Sequence, residues 1–156
     1  MSKESVLNRL EKEWENLLQS LEGLSAEEMC RPGAAGEWSV RDILAHVTTW
    51  DAEALKNLPL ILKFQKTPLY SSLYGGVDEF NRLEQQRKRD LSVAEVRRQL
   101  GEAHAHLLDY LEGAPSEAFI SGSRFQRRLR EDTYGHYPEH ARAITAWKTR
   151  KKERPG

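Results

Sequence analysis

Residues Gly36–Asp51 read GEWSVRDILAHVTTWD. Ser39 is placed to cap a helix, with Asp42 three positions on as a short-armed counterpart of the capping-box acid. Ile43, Val47, Trp50 and Ala54 then recur at helical spacing and mark a core face, while Asp42, His46, Thr49 and Glu53 form a polar stripe beside it. His46 thus lies at the edge of the apolar stripe, on a seam where another helix can meet it. A single histidine in such a place is more often packed or hydrogen-bonded than a ligand, so its role depends on the rest of the chain. The helix is expected to run to about Asn57, before Pro59.

Working outward, three more long helices are legible. Val6, Leu10, Trp14, Leu17 and Leu21 recur at helical spacing, widened by Leu7 and Leu18, and the pattern ends near Gly23. Ser92 with Glu95 offers a capping box for a helix that buries Val93, Val96, Leu100, Ala103, Leu107 and Leu111, stopped by Gly113 and Pro115. A last helix begins near Gly135 and runs through Ala141, Ile144 and Trp147 into a basic end. Between the second and third lies a long connection, NLPLILKFQKTPLYSSLYGG, followed by VDEFNRLEQQRKRD, which can add one short helix. No stretch alternates like a strand. The expectation is an all-α four-helix bundle with a long crossover connection between helices 2 and 3, a single domain over residues 1–156.

Composition narrows the function classes. Twenty-four Lys and Arg balance 24 Asp and Glu, which argues against a global field that gathers nucleic acid or anionic membrane. The tail KTRKKERPG is short, lacks interleaved aromatics, and most simply complements the negative end of the last helix. No nucleic acid and no membrane are the expected partners; a small-molecule substrate is. A single cysteine, Cys30, and a polar amphipathic start suit a reducing cytoplasm. The apolar run LPLILKF, Leu58–Phe64, must either cover the bundle or form a subunit interface, so a homodimer is expected.

The chemistry concentrates in DTYGHYPEHARAITAW, Asp132–Trp147. His136 and His140 stand four apart, neighbours on a helix, and share a sector with Ala143, Ile144 and Trp147. Pro138 requires the helix to start close by, so both imidazoles sit at its N-terminal end, where the helix dipole disfavours imidazolium and keeps the rings able to ligate. If the seam at His46 meets this helix end, His46, His136 and His140 form a three-histidine site for a divalent metal, with positions left open for water or substrate. Such a site is catalytic in type and supports hydrolysis or thiol transfer on a small molecule. A bundle that only binds metal or a small molecule is the alternative.

The block W-S-V-x-D-I-L-A-H-V-x-x-W, Trp38–Trp50, followed by H-Y-P-E-H, His136–His140, resembles the DinB/YfiT-like superfamily of four-helix proteins. The resemblance implies one histidine from the second helix and an H-x-x-x-H pair from the fourth holding nickel or zinc, and all three positions are filled here. It further implies a low-molecular-weight thiol of the mycothiol or bacillithiol type as a possible cofactor for S-transfer.

The remaining candidates have simpler readings. Trp38, Trp50, Tyr70, Tyr74 and Tyr137 can wall a pocket, although aromatics at helical spacing usually build core. RFQRRLR, Arg124–Arg130, reads as a solvated loop rather than an anion clamp. His104 belongs to the core face of its helix and His106 to the opposite one. Asp42, Asp51, Glu53 and Glu139 are the acids near the histidines in sequence, and none is placed well enough to assign a catalytic role.

Overall fold

A computed structural model describes residues 2–153. Its long helices are α1 (Lys3–Ser20), α3 (Val40–Leu62), α6 (Val93–Gly113) and α8 (Tyr137–Glu153); shorter ones are α2 (Ala26–Met29), α4 (Tyr70–Tyr74), α5 (Val77–Lys88) and α7 (Arg124–Asp132), with a 3₁₀ turn at Ser116–Phe119. The only β feature among the described residues is an isolated bridge between Ala35 and Trp38. The architecture is the all-α bundle expected. α3 runs along α6 and also packs on α5 and α7, while α1 lies along α8. Leu10, Leu17, Ile43, Leu44, Leu58, Leu100, Leu107 and Leu111 fill the space between them. Each such side chain stabilises by about 1.5–3 kcal/mol.

The start of α3 forms as its sequence specifies. Ser39 Oγ accepts from Asp42 N–H at 3.1 Å, and Asp42 Oδ2 accepts from Ser39 N–H at 3.0 Å, satisfying two helix-end donors reciprocally. At α6 only half of the box forms: Ser92 caps Glu95 N–H, but the Glu95 carboxylate turns to Arg98 and Gln99.

Three segments depart from expectation. First, α3 continues past Asn57 and through Pro59 to Leu62. The proline removes one hydrogen bond, a cost offset by burying Leu58 and Ile61 against the bundle. That run therefore covers the core, except for Phe64, which is 92% exposed and closes the helix with a left-handed φ of 58°. Second, Arg124–Arg130 is helix, not loop. Ser123 caps it and Phe125 and Leu129, four apart, are buried. Third, α8 starts at Tyr137, two residues later than Gly135, because Thr133–His136 form a turn in which Gly135 N–H donates to the Arg130 carbonyl at 2.8 Å.

The basic end of α8 acts as more than a dipole partner. Lys148 Nζ donates to the carbonyls of Ser20 and Glu22, Lys151 pairs with Glu28, and Arg150 reaches the Gly33 carbonyl. These contacts hold α8 to the end of α1 and to α2. Arg154, Pro155 and Gly156 of the tail lie outside the described residues.

Candidate metal centre

α3 delivers His46 from its second turn, the Thr133–His136 turn delivers His136, and the first turn of α8 delivers His140. The three Nε2 atoms converge: His136 Nε2 lies 3.0 Å from His46 Nε2 and 2.8 Å from His140 Nε2. His46 and His140 are buried and His136 is nearly so. The seam at His46 does meet the start of the last helix.

Neutral imidazole nitrogen carries either one proton or one lone pair. His136 Nε2 therefore cannot be both donor to one neighbour and acceptor from the other, and hydrogen bonding alone leaves the cluster unsatisfied. A shared cation satisfies three lone pairs at once. Nitrogens bound at about 2.1 Å to one ion stand about 3.0–3.4 Å apart at right to tetrahedral angles, close to the spacing here. His46, His136 and His140 are thus residues that could hold a divalent ion.

The rings are neutral chiefly because they are buried. Burial brings the pKa of His46 down to about 3, with the neighbouring His136 and His140 and then Lys88 adding to the effect. Burial and then His136 bring His140 to about 3 as well. His136 is lowered by the same cause, opposed by the charge of Glu139. The helix end, expected to supply this neutrality, is secondary to desolvation.

The four acids near the histidines have other partners. Asp42 caps α3 and pairs with Arg41. Asp51, fully buried, accepts from the Tyr137 hydroxyl at 2.7 Å, which pins the residue after His136 to α3. Its pKa is raised by burial. Glu53 accepts from the Tyr70 hydroxyl at 2.9 Å, and Glu139 is exposed. His104 is core, stacked on Trp14 with ring centres 3.8 Å apart and bonded to Glu11, and His106 is exposed.

A cleft of about 420 Å³ opens onto the histidines, with His46 and His136 in its wall beside Trp50, Tyr70, Asn81, Arg128, Glu131 and Asp132. Trp50 and Tyr70 thus do wall a pocket. Trp38 packs against the His46 ring at 5.0 Å, Tyr137 is core, and Tyr74 packs at a tilt against Phe80, ring centres 4.9 Å apart. The α7 residues of this wall are not legible as site residues in the sequence, because the charge density of Arg124–Arg130 reads there as a solvated loop. Ser123, with Phe125 and Leu129 beyond it, was the available signal. Arg128 Nε donates to Asp132 Oδ2 at 2.7 Å and Arg128 Nη2 to the Tyr70 hydroxyl at 2.8 Å, so a chain Glu53–Tyr70–Arg128–Asp132 lines one side. Burial pushes Asp132 up to about 6, against the pull of Arg128. Lys88, buried between α5 and α3, donates to Thr49 Oγ1 at 2.6 Å, and burial brings it down to about 8.

The family model for the DinB superfamily matches residues 9–147. The chain belongs to the DinB superfamily. Solved structures of the same fold include an uncharacterised protein from Escherichia coli UTI89, at 15% identity and TM-score 0.82 over 97% of this chain and 95% of that one. The Sibling Lethal Factor Precursor DfsB matches at 15% identity and TM-score 0.82 over 97% of each chain. The colibactin self-resistance protein ClbS, crystallised in complex with a dsDNA, matches at 16% identity and TM-score 0.76 over 93% of this chain and 94% of that one. No curated protein sequence matches the chain.

The ClbS complex overturns one expectation. The balance of charge argues against nucleic acid as a partner, yet a neighbour of this fold is crystallised with duplex DNA. Net charge is a sum over the whole surface, and binding depends on local fields. Here α7 exposes Arg124, Arg127 and Arg130, none of them paired with an acid among the described residues. As to membranes, no helix among the described residues is long and apolar enough to cross one.

Proposed function

We propose that this protein is a divalent-metal-dependent enzyme acting on a small molecule held in the cleft beside His46 and His136, with His46, His136 and His140 as the metal ligands. The convergence of three neutral Nε2 atoms, with His46 and His136 in the wall of an open cleft, carries this reading. When bound, a nickel or zinc ion would supply Lewis acidity, making a water or thiol acidic enough to act as a nucleophile near neutral pH. The reaction class is hydrolysis or transfer of a low-molecular-weight thiol. The chain's own contribution is to hold three imidazoles neutral and to fix the His136 turn through Tyr137 and Asp51. Trp50 and Tyr70 supply apolar walls that exclude water from the substrate, and Asp132 offers a carboxyl able to take up a proton near neutral pH.

The test is elemental analysis of tag-free protein, followed by calorimetric titration with zinc and nickel. About one ion per chain is expected, His46→Gln is expected to weaken binding at least about tenfold without loss of helicity, and any turnover is expected to vanish on chelation. Wild-type-like affinity in His46→Gln would make His46 a packing residue. Stoichiometric metal without turnover in a broad thiol and ester screen would favour the non-catalytic binding bundle.

The pH dependence separates this buried site from an exposed histidine cluster. Three ordinary histidines near about 6.5 would lose affinity steeply below that pH, as protons compete for each ligand. Here the folded chain resists protonation, with His46 and His140 at about 3. Because their folded values lie below the unfolded one, the unfolded chain takes up protons first, and stability falls as pH drops from about 6.5 towards 3. Metal affinity of the folded chain is therefore expected to hold within about tenfold from pH 7.5 to 5.5, with metal release at lower pH coinciding with loss of helical circular dichroism. Stepwise release near pH 6.5 from a fully helical chain would contradict it.

A further inference from the structure

Behind the turn that carries His136 lies a second cleft, of about 350 Å³, rimmed by Arg9, Arg127, Arg130, Gln126 and Tyr134. It shares no lining residue with the cleft at the histidines. Arg127 and Arg130 stand three apart on α7, exposed, without an ion-pair partner among the described residues. Arg9 approaches from α1, steadied by Glu13 at 3.0 Å.

The wall of the cleft supplies an independent observation. Gln126 is buried, and its orientation is set by Gly122, whose N–H can only donate and does so to Gln126 Oε1 at 3.2 Å. Gln126 Nε2 then faces Tyr134 and donates to its hydroxyl oxygen at 2.7 Å. With that oxygen accepting, the Tyr134 proton must go elsewhere, and no acceptor among the described residues takes it, although Tyr134 is only 4% exposed. A buried hydroxyl with an unspent proton, beside two unpaired guanidinium groups, is a donor set lacking its acceptor.

We propose that this cleft binds a phosphate group. Arg127 and Arg130 would supply the charge, Arg9 a third cation, and Tyr134 a directed neutral donor. Donors from α1, α7 and the turn before α8 line one cleft, a set more numerous than the two oxygens of a carboxylate can use and suited to the several oxygens of a phosphate. The phosphate can be that of a small phosphoester or of a nucleic-acid backbone; the chemistry of the cleft is the same.

Calorimetric titration of the full chain with inorganic phosphate, and in parallel with a DNA duplex of about 20 base pairs, tests this at fixed ionic strength. Saturable phosphate binding is expected to weaken at least about tenfold in Arg127→Gln/Arg130→Gln and about three- to tenfold in Tyr134→Phe. Arg124→Gln makes the same kind of charge change on the same helix but lines a different cleft, and should leave binding intact. His46→Gln should also leave it intact, which separates this site from phosphate held by an ion at the histidines. Duplex binding that falls with the Arg127/Arg130 pair but not with Arg124→Gln assigns the phosphate to a nucleic-acid backbone. Inorganic phosphate binding without duplex binding assigns it to a small phosphoester. Absence of both, or equal losses in Arg124→Gln, would overturn the proposal.

Discussion

Substitution of His136 by alanine is expected to lower divalent-metal affinity at least about a hundredfold, beyond the 10–100-fold typical of losing a partner that only supports a ligand. The reason is its central place. His136 Nε2 is the atom within 3.0 Å of both other ring nitrogens, so its removal leaves two imidazoles without the ligand that lies between them. The change should cost little stability, because His136 is the least buried of the three and sits in a turn ahead of α8, while the neighbouring Tyr137 keeps its bond to Asp51. His140→Ala should approach the same loss of affinity, with a larger stability cost because His140 is buried in the first turn of α8. Calorimetry with zinc and nickel, alongside thermal unfolding of the metal-free chains, checks both. Retained affinity in His136→Ala would remove the three-histidine site altogether.

The three histidines were legible in the sequence because each depends on local pattern: a capped amphipathic helix for His46, a four-residue spacing for His136 and His140. The four long helices were legible for the same reason, since heptads of Leu, Val and Trp report a buried face whatever packs on it. What escaped was decided by tertiary contacts. Pro59 reads as a helix stop, and only the burial of Ile61 beyond it shows why α3 continues. Arg124–Arg130 carries a charge density that suggests solvent, and only the cavity filled by Phe125 and Leu129 shows a helix with one deeply buried side. Without α7 in place, the sequence does not set Arg128 and Asp132 opposite His46 and His136, so the cleft at the histidines lacks its far wall. The carboxyl best placed at that cleft, Asp132, belongs to a different element from every acid singled out by sequence proximity.

That carboxyl gives the second large expected effect. Arg128 and Asp132 form a buried pair, with 15% and 6% of their side chains exposed. Arg128→Met should cost about 3–5 kcal/mol at pH 7.5, the penalty for leaving a buried charge without its partner. The loss should shrink in acid. Burial already holds Asp132 at about 6, above an ordinary carboxyl, and Arg128 is what keeps it from rising further. Without Arg128 the folded value climbs, so the folded chain binds a proton that the unfolded chain, titrating near about 3.9, does not. A group raised on folding stabilises the chain at low pH and loses that contribution as pH rises, so Arg128→Met should lie much nearer wild type at pH 5.5 than at 7.5. Comparing the two chains at each pH cancels the histidines, which titrate in both. Adding Asp132→Asn to Arg128→Met removes the stranded charge, and should restore most of the stability lost at pH 7.5 and abolish the extra pH dependence, whereas Asp132→Asn alone leaves Arg128 bonded to the Tyr70 hydroxyl. Metal affinity should stay unchanged throughout, since Arg128 makes no contact with the three imidazoles. A loss of stability equal at pH 5.5 and 7.5, and not rescued by the second substitution, would mean that Arg128 supports this wall of the cleft by packing along its aliphatic stem and its stacking on Tyr70, and not by holding the charge of Asp132.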